Sequence, residues 1–422
     1  MRAMRVLQAP TNVANQAWSA AQGLRALGHD AEVWHFGANP FSFPADRLIE
    51  DAADPATIVR VLQEALDGGF DVFHFHFARS LVPARDSLPW FWDLPLLRAL
   101  DKRIVFTFHG TDVRLRSKHL VEDPWSYYRF ADVACDEETI TSRLNVIRGY
   151  ADHLIVASPL NRTFVPEAFY IPKIIDLGPL QPAGPSRRKD PLVVHVPSRR
   201  STKGTEFVLR GIKQLEERGL SFQFRLAESL PHDEMLGLLA DADVVVDNLL
   251  LGDCEVSALE AMALAKPVVT RVRDEVLDEH PDLPAVRADP DSFVSQMEQL
   301  LGDASSRAEL GERGRLYVAS NHASEIVAQR LLALYERPGK GTRITFPGWT
   351  QPPRAERIVR LEERVQTLEA RAGKQQRRTE RDLRTVEVLK RRIAALEALP
   401  EFRAGKVVRR AIGRARRLRP RP

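Results

Sequence analysis

The chain has 422 residues, which at about 150 residues per domain points to two or three domains. Its 44% hydrophobic and 28% charged content is that of a globular protein with sizeable cores, and no run approaches the roughly 18 apolar residues of a membrane span. The net charge of +4 hides a division: residues 338–422 carry 24 basic against 9 acidic side chains, so the body before them is acidic.

The first stretch, Met1–Pro10, is too short an apolar segment for a signal peptide. Cys135 and Cys254 are too few for a disulfide framework or a cysteine zinc site. A reduced, cytosolic chain is expected. Met4–Gln8 reads as a strand, and Gln16–Leu27 as a helix stopped at Gly28. Ala31–Phe36, Val72–Phe77, Ile104–Phe108 and His153–Ala157 read as further strands, with helical periodicity at Ala56–Leu66 and Leu94–Leu100 between them. Strands alternating with helices imply crossover connections and a mostly parallel sheet, the α/β class.

Residues 176–191 hold Gly178, Pro179, Pro182, Gly184 and Pro185 and read as a linker after a first domain of residues 1–175. The pattern then restarts over 192–337: strand Leu192–Val196, helix Thr205–Arg218, strand Ser221–Ala227, helix Asp233–Ala240, strand Val244–Asp247, helix Ser257–Leu264 and strand Pro267–Arg271. Helices Asp291–Leu301 and Ala323–Tyr335 close the globular part. Two parallel-sheet domains bind ligands most naturally between the carboxyl edges of their strands.

Past Pro338 the character changes. Over 354–399, Ile358, Leu361, Val365, Leu368 and Ala372 follow alternating three- and four-residue spacing. The seam turns polar at Gln375 and Thr379 and resumes at Leu383 with a slip, an imperfect coiled coil whose plain alternative is a solvated charged helix. This coiled coil is the expected route to a homo-oligomer. From Phe402 to Pro422 there are nine basic residues and no acidic one, with Val408, Ala411, Ile412, Ala415 and Leu418 on one helical face. That composition suits a helix on an anionic membrane surface, the alternative being a disordered basic tail. Nucleic acid ranks last as a partner, since the 400–422 tail lacks interleaved stacking aromatics.

Two segments carry the chemistry. His195–Thr205 leaves a buried strand, crosses a small-residue loop with Arg199, Arg200 and Lys203, and enters a helix at Gly204. Such cations beside a helix amino end suit a diphosphate, although exposed bases at a helix start are often only solvated. The spacing is not that of a Walker loop. In the second, Asp247–Ala263, a strand end again precedes a helix start near Val256 and Ser257. Glu260, about one turn in, could accept ribose hydroxyls or be an ordinary helix-surface carboxylate. His74 and His76 share a strand face without further ligands at metal spacing, so buried strand histidines are expected and no metal site. Neither Ser201 nor Cys254 has a His/Asp companion for nucleophilic catalysis.

Together these segments resemble the GT-B glycosyltransferases, and among them the retaining family-four, glycogen-synthase-like group. The matching residues are Arg199/Arg200, Lys203-Gly204, Leu259-Glu-Ala-Met-Ala263 and Pro267-Val-Val269. In the first domain, Phe106-Thr-Phe-His-Gly-Thr-Asp112 and Ala151-Asp-His-Leu-Ile-Val-Ala-Ser158 match, and the likeness spans about residues 4–336. It implies two facing Rossmann-like parallel-sheet domains and transfer of a sugar, of hexosyl type and with retention, from a nucleoside-diphosphate sugar. The acceptor implied with the basic tail is a glycan or lipid-linked saccharide, as in cell-surface polysaccharide synthesis, with the enzyme cytoplasmic and peripheral at the membrane's inner face. The nucleotide sugar is substrate, so no cofactor is expected.

The implied catalytic residues are His109, Arg199 and Lys203. The implied substrate contacts are Arg200, Gly204, Val256, Ser257 and Glu260 on the donor side, with Asp253 or Glu255 as a substitute for the family's first Glu and Asp112 toward the acceptor unless it is a simple cap; Glu228, at a strand end, is read separately as lining the nucleotide pocket. Asn12, Asn15 and Gln16 offer hydrogen bonds where the family has a glycine-rich loop. Two further departures stand out. Gly252 occupies the position eight before Glu260, where the family has a first Glu, and Ala265-Lys266 precede Pro267 where Gly is common. The alternatives are a nucleotide-sugar epimerase of the same fold and a catalytically degenerate coiled-coil scaffold.

Overall fold

The computed structural model describes residues 3–52, 54–83, 90–182 and 188–336, with Glu387, Lys390, Arg391 and Ala394. The coiled-coil expectation over 354–399 otherwise lies outside the described residues, as does the basic tail at 400–422. Contacts divide the chain into two units, one of Met1–Leu115 and Tyr127–Ile344, the other of Arg116–Ser126 and Thr345–Pro422. In the smaller unit, His119 of the helix Arg116–Glu122 places its Nδ1 2.6 Å from Ser126 Oγ in the segment that follows. The four isolated residues are helical, and Arg391 Nε meets Glu387 Oε1 at 3.2 Å, one turn apart.

The larger unit contains two parallel sheets. The first has seven strands: β1 (Arg5–Ala9), β2 (Asp30–Phe36), β3 (Arg47–Ile49), β4 (Val72–His76), β5 (Arg103–Phe108), β6 (His153–Val156) and β7 (Phe169–Tyr170). Their order is β3-β2-β1-β4-β5-β6-β7, every pairing parallel. Strand order reverses between β1 and β4, which leaves a crevice at their carboxyl ends. The second sheet has β8 (Leu192–His195), β9 (Gln223–Leu226), β10 (Val244–Val246), β11 (Val268–Thr270) and β12 (Val286–Arg287), in the order β12-β11-β10-β8-β9 and again all parallel. Its own reversal falls between β8 and β10.

The central strands of the second sheet are valine-rich and fully buried because both faces are covered. Val194, Val245 and Val268 enter one core with Leu239, Leu259 and Met262, while Val193, Val244, Val246 and Val269 enter the other with Val208, Ile212 and Phe293. The period-two alternation of a strand assigns each side chain to its face.

The two lobes are joined twice, side by side. Ile175 N–H donates to His322 O (2.8 Å), and Ser324 N–H donates to Ile175 O (3.0 Å). The helix Ser324–Tyr335 then returns to the first lobe, packs on the helix Gln16–Ala26, and buries Tyr335 beneath β4. No helix among the described residues is long and apolar enough to cross a membrane.

Candidate functional site

The turn after β8 and the loop after β10 meet at the switch point of the second sheet. The backbone makes a four-residue helical turn, Arg200–Lys203, breaks at Gly204, and restarts as the helix Thr205–Glu217. Gly204 has φ +75°, and a Cβ there would lie 2.9 Å from Leu250 Cγ, so glycine lets the two loops close on each other. Lys203 is carried inward, where its Nζ lies 2.6 Å from Asp247 Oδ1. Asp247 also accepts from Ser257 Oγ (3.0 Å), Glu255 N–H (3.1 Å) and Asn248 Nδ2 (2.8 Å). Burial would raise the Asp247 carboxyl, but the Lys203 ammonium and these donors hold it below its ordinary range.

Asn248 is the keystone of the loop that follows. Its amide donates to Asp253 O (2.9 Å) and Thr270 Oγ1 (2.9 Å), and its Oδ1 accepts from Leu251 N–H (2.9 Å). Gly252 sits in that loop with φ +82°, and a Cβ there would lie 2.7 Å from Arg273 Cδ. A side chain at this position would therefore be strained in the backbone and would require Arg273 to shift. The loop ends on Glu255, which precedes the helix Val256–Ala263, and no side chain among the described residues caps its first turn.

Carboxylates at the crevice all have partners. Arg200 Nε lies 2.9 Å from both Glu228 oxygens at the solvent surface. Glu260 is buried and its Oε1 meets His232 Nε2 at 2.7 Å. Burial alone would lower the His232 imidazole, but Glu260 raises it above its ordinary 6.5. Asp253 is taken by Lys173, whose buried Nζ lies 2.6 Å from its Oδ2, donates to Cys254 O (2.7 Å), and is 3.9 Å from Glu255 Oε1. A small pocket beside this pair is lined by Tyr170, Lys173, Asp253, Cys254, His280 and His322 at the hinge. Arg199 is exposed at the mouth of the turn.

The first lobe supplies the facing wall. His109 follows β5, half-buried, with Nε2 3.1 Å from His76 Nδ1. Burial, with the charge of Lys173, pushes its imidazole down to about 3. Asp112 accepts from His109 N–H (3.0 Å) and Gly110 N–H (2.7 Å), so its carboxylate organises the turn that presents His109. Burial raises it to about 6 against those donors. Arg114 lies over the Tyr127 ring at 5.6 Å. Burial opposes its charge, but Tyr127 and Glu255 raise the guanidinium above its ordinary value. The turn Tyr127–Arg129 touches the turn Arg200–Lys203, and Phe130 packs on Phe207 at 5.1 Å. On another loop, Phe41 O accepts from His232 N–H (3.0 Å) and the Phe43 ring lies 5.0 Å from the imidazole.

The structure thus gathers Lys203, Gly204, Asp253, Glu255, Val256, Ser257 and Glu260 around one crevice, with Arg200 and Glu228 paired at its rim. Asn12, Asn15 and Gln16 are engaged elsewhere. Asn12 Oδ1 accepts from Ala17 N–H (3.0 Å) and its amide donates to Pro44 O (2.9 Å) and Asn15 Oδ1 (3.2 Å), while Gln16 exchanges two bonds with Ile174 at the hinge (2.9 and 2.8 Å). Sequence reasoning passed over Asp247 as a side chain, Lys173, His232 and Arg114. Lys173 had a signal, a lone cation in the apolar run Tyr170–Ile175. Among the described residues no group of three His, Cys, Asp or Glu is placed to hold a metal ion.

No protein-family model matches the chain, and no curated protein matches its sequence. Solved structures do match. A sucrose-phosphate synthase from Thermosynechococcus elongatus aligns with TM-score 0.57 at 17% identity, over 79% of this chain and 98% of that one. An alpha-glucosyltransferase solved with UDP-glucose and abasic DNA aligns with TM-score 0.55 at 12% identity, over 80% and 100%. The catalytic domain of starch synthase IV from Arabidopsis thaliana aligns with TM-score 0.53 at 13% identity, over 79% and 98%. At these identities the likeness is one of fold: two parallel-sheet lobes in the arrangement of GT-B glycosyltransferases.

Proposed function

We propose that the chain transfers a sugar, with retention, from a nucleoside-diphosphate sugar bound in the second lobe to a glycan or lipid-linked saccharide at the first. The observation that carries this reading is the switch-point crevice between β8 and β10, where Lys203, from the turn that follows Arg199 and begins at Arg200, and Ser257, from the helix that also bears Glu260, meet on Asp247. Breaking a glycosidic bond to a diphosphate builds negative charge on the leaving group, and fixed cations with a helix amino end stabilise that charge. Glu260, with His232 beside it, is suited to ribose hydroxyls. His109 across the gap is suited to the transferring sugar. The sequence alone supports the remaining parts of the reading: cytoplasmic placement, the 402–422 tail on an anionic membrane, and self-association through 354–399.

The test is a panel of UDP-, GDP- and ADP-sugars scored by thermal stabilisation and by nucleotide release with saccharide acceptors. A donor that binds the folded state raises the melting temperature. Lys203→Ala and Glu260→Ala should abolish that rise. A donor epimerised without acceptor would replace this reading with an epimerase, and absence of any nucleotide binding would replace it with a scaffold.

A further inference from the structure

Beneath His109 runs a chain of buried polar groups that the transfer chemistry does not itself require. Tyr335 Oη lies 2.5 Å from His74 Nδ1 and 3.5 Å from Gln8 Nε2. His74 Nε2 lies 2.7 Å from Thr107 Oγ1. Gln8 Oε1 lies 2.7 Å from His76 Nε2, and His76 Nδ1 lies 3.1 Å from His109 Nε2. The rings of His74 and His76 stack at 4.6 Å, and those of His76 and His109 at 5.3 Å. Gln8, His74, His76 and Tyr335 are all buried, so an unmade hydrogen bond here is costly.

Each nitrogen of a neutral imidazole has a fixed role, one donating and one accepting. Gln8 Oε1 can only accept, so His76 Nε2 carries a proton and His76 Nδ1 is bare. His109 Nε2 must then donate to it, which leaves His109 Nδ1 without a proton. The other end agrees. A phenol is a far stronger donor than acceptor, and the 2.5 Å contact suits Tyr335 O–H donating to His74 Nδ1, while His74 Nε2–H donates to Thr107. The Tyr335 oxygen is left to accept from the Gln8 amide. Reversing the chain would turn the Gln8 amide over and leave the phenol donating across 3.5 Å.

We propose that Gln8, His76 and Tyr335 are positioning residues that lock His109 in one tautomer, so that its free Nδ1 accepts a hydrogen bond from a substrate hydroxyl and repels phosphate or carboxylate oxygen. This inference rests on the transfer reading for the identity of the hydroxyl, which belongs to a sugar. Burial keeps all three imidazoles neutral, with His74 down to about 3 and His76 well below its ordinary value, so the tautomers persist across the neutral range. Tyr335 ends the helix that returns from the second lobe, so a residue more than 200 positions after His109 takes part in setting its polarity.

The test uses the full chain with 15N-labelled histidine, read by long-range proton–nitrogen correlation and assigned through His109→Asn. His109 is expected to show a protonated Nε2 and a bare Nδ1. Gln8→Leu removes the acceptor that orients His76 and is expected to move the His109 Nδ1 resonance toward the tautomer average, and Tyr335→Phe is expected to do so less. Inorganic phosphate should leave that resonance in place. A protonated Nδ1 in the parent chain, a resonance unmoved by either variant, or one displaced by phosphate would overturn the inference. Because no donor sugar is present, the tautomer is measured independently of whether transfer occurs.

Discussion

Replacing Lys203 with alanine isolates a buried ion pair of the crevice. Its Nζ lies 2.6 Å from an Asp247 carboxylate whose side chain is 0% exposed, and Lys203 itself is 5% exposed. Removing one partner of a buried pair costs about 3–5 kcal/mol, because the other charge is left uncompensated. Asn248, Ser257 and the Glu255 N–H still donate to Asp247, which favours the lower end, about 3 kcal/mol. For a lobe of about 150 residues that corresponds to a fall in melting temperature of roughly 6–12 °C. The pH dependence has a definite sign. Asp247 is held below its ordinary 3.8, so it stabilises the fold above that value and the benefit is lost as pH falls through its folded value. Without Lys203 burial dominates, the folded value rises, and acid unfolding begins at a higher pH. Melts followed by circular dichroism from acid to neutral pH would show both effects, and the double variant Lys203→Met with Asp247→Asn should recover most of the loss. A single variant melting within about 2 °C of the parent at neutral pH would refute the argument, since that is under about 1 kcal/mol.

Placing a carboxylate at position 252 should destabilise the loop. Gly252→Glu puts a side chain at φ +82° and against Arg273, and is expected to cost about 1–3 kcal/mol in denaturant melts with no gain in turnover. His232→Gln reads the Glu260 pair. A folded value raised above 6.5 stabilises below 6.5 and loses that contribution as pH rises through it, so the stability gap between parent and variant should be widest in mild acid and close in mild alkali. A constant gap would show that Glu260 does not raise the imidazole. The buried neutral histidines act oppositely. His74, His109 and His322 titrate at about 3 and His195 and His280 at about 4, so the unfolded chain takes up protons first and overall stability should fall as pH drops from about 6.5.

How far the sequence reached depended on whether the determinants were local. The strand Leu192–His195 and the triplet Val244–Val246 stand out as apolar runs bounded by turns, and both lie where their pattern puts them. The strands Arg47–Ile49, Phe169–Tyr170 and Val286–Arg287 do not, because two or three residues carry no period. The helices Glu137–Tyr150 and Ala304–Asn321 were also missed. Their faces are too polar for an apolar stripe, although Asp136 and Asp303 cap them through Thr139 N–H (3.0 Å) and Ser306 N–H (2.9 Å). At the site, the cation-bearing turn was legible as composition. Its partners were not, since Lys203 meets a carboxylate 44 positions away, Glu260 an imidazole 28 away, and Asp253 a lysine 80 away. Only the crossover topology brings such residues together.

If the crevice takes the proposed nucleoside-diphosphate sugar, those pairings decide which cation can change partner. A phosphate oxygen can take a cation only if the abandoned carboxylate is solvated afterwards. Asp247 has no exposed surface, whereas the Glu228 side chain is 37% exposed and meets water at once. Lys203 is therefore expected to stay with Asp247 and act as a fixed charge, and Arg200 to leave Glu228 for the phosphate. Its Nε alone now serves both Glu228 oxygens at 2.9 Å, and once released the planar guanidinium can give a phosphate a two-point contact through two of its nitrogens. Arg200→Gln should then weaken nucleotide-sugar binding by about tenfold without moving the melting temperature, a loss typical of one charged contact. Glu228→Gln should strengthen binding several-fold, because it removes the competing carboxylate. Calorimetric titration of each variant with the donor that stabilises the parent chain distinguishes this from Glu228 acting as a donor contact, in which case Glu228→Gln would bind more weakly than the parent and the exchange argument would fail.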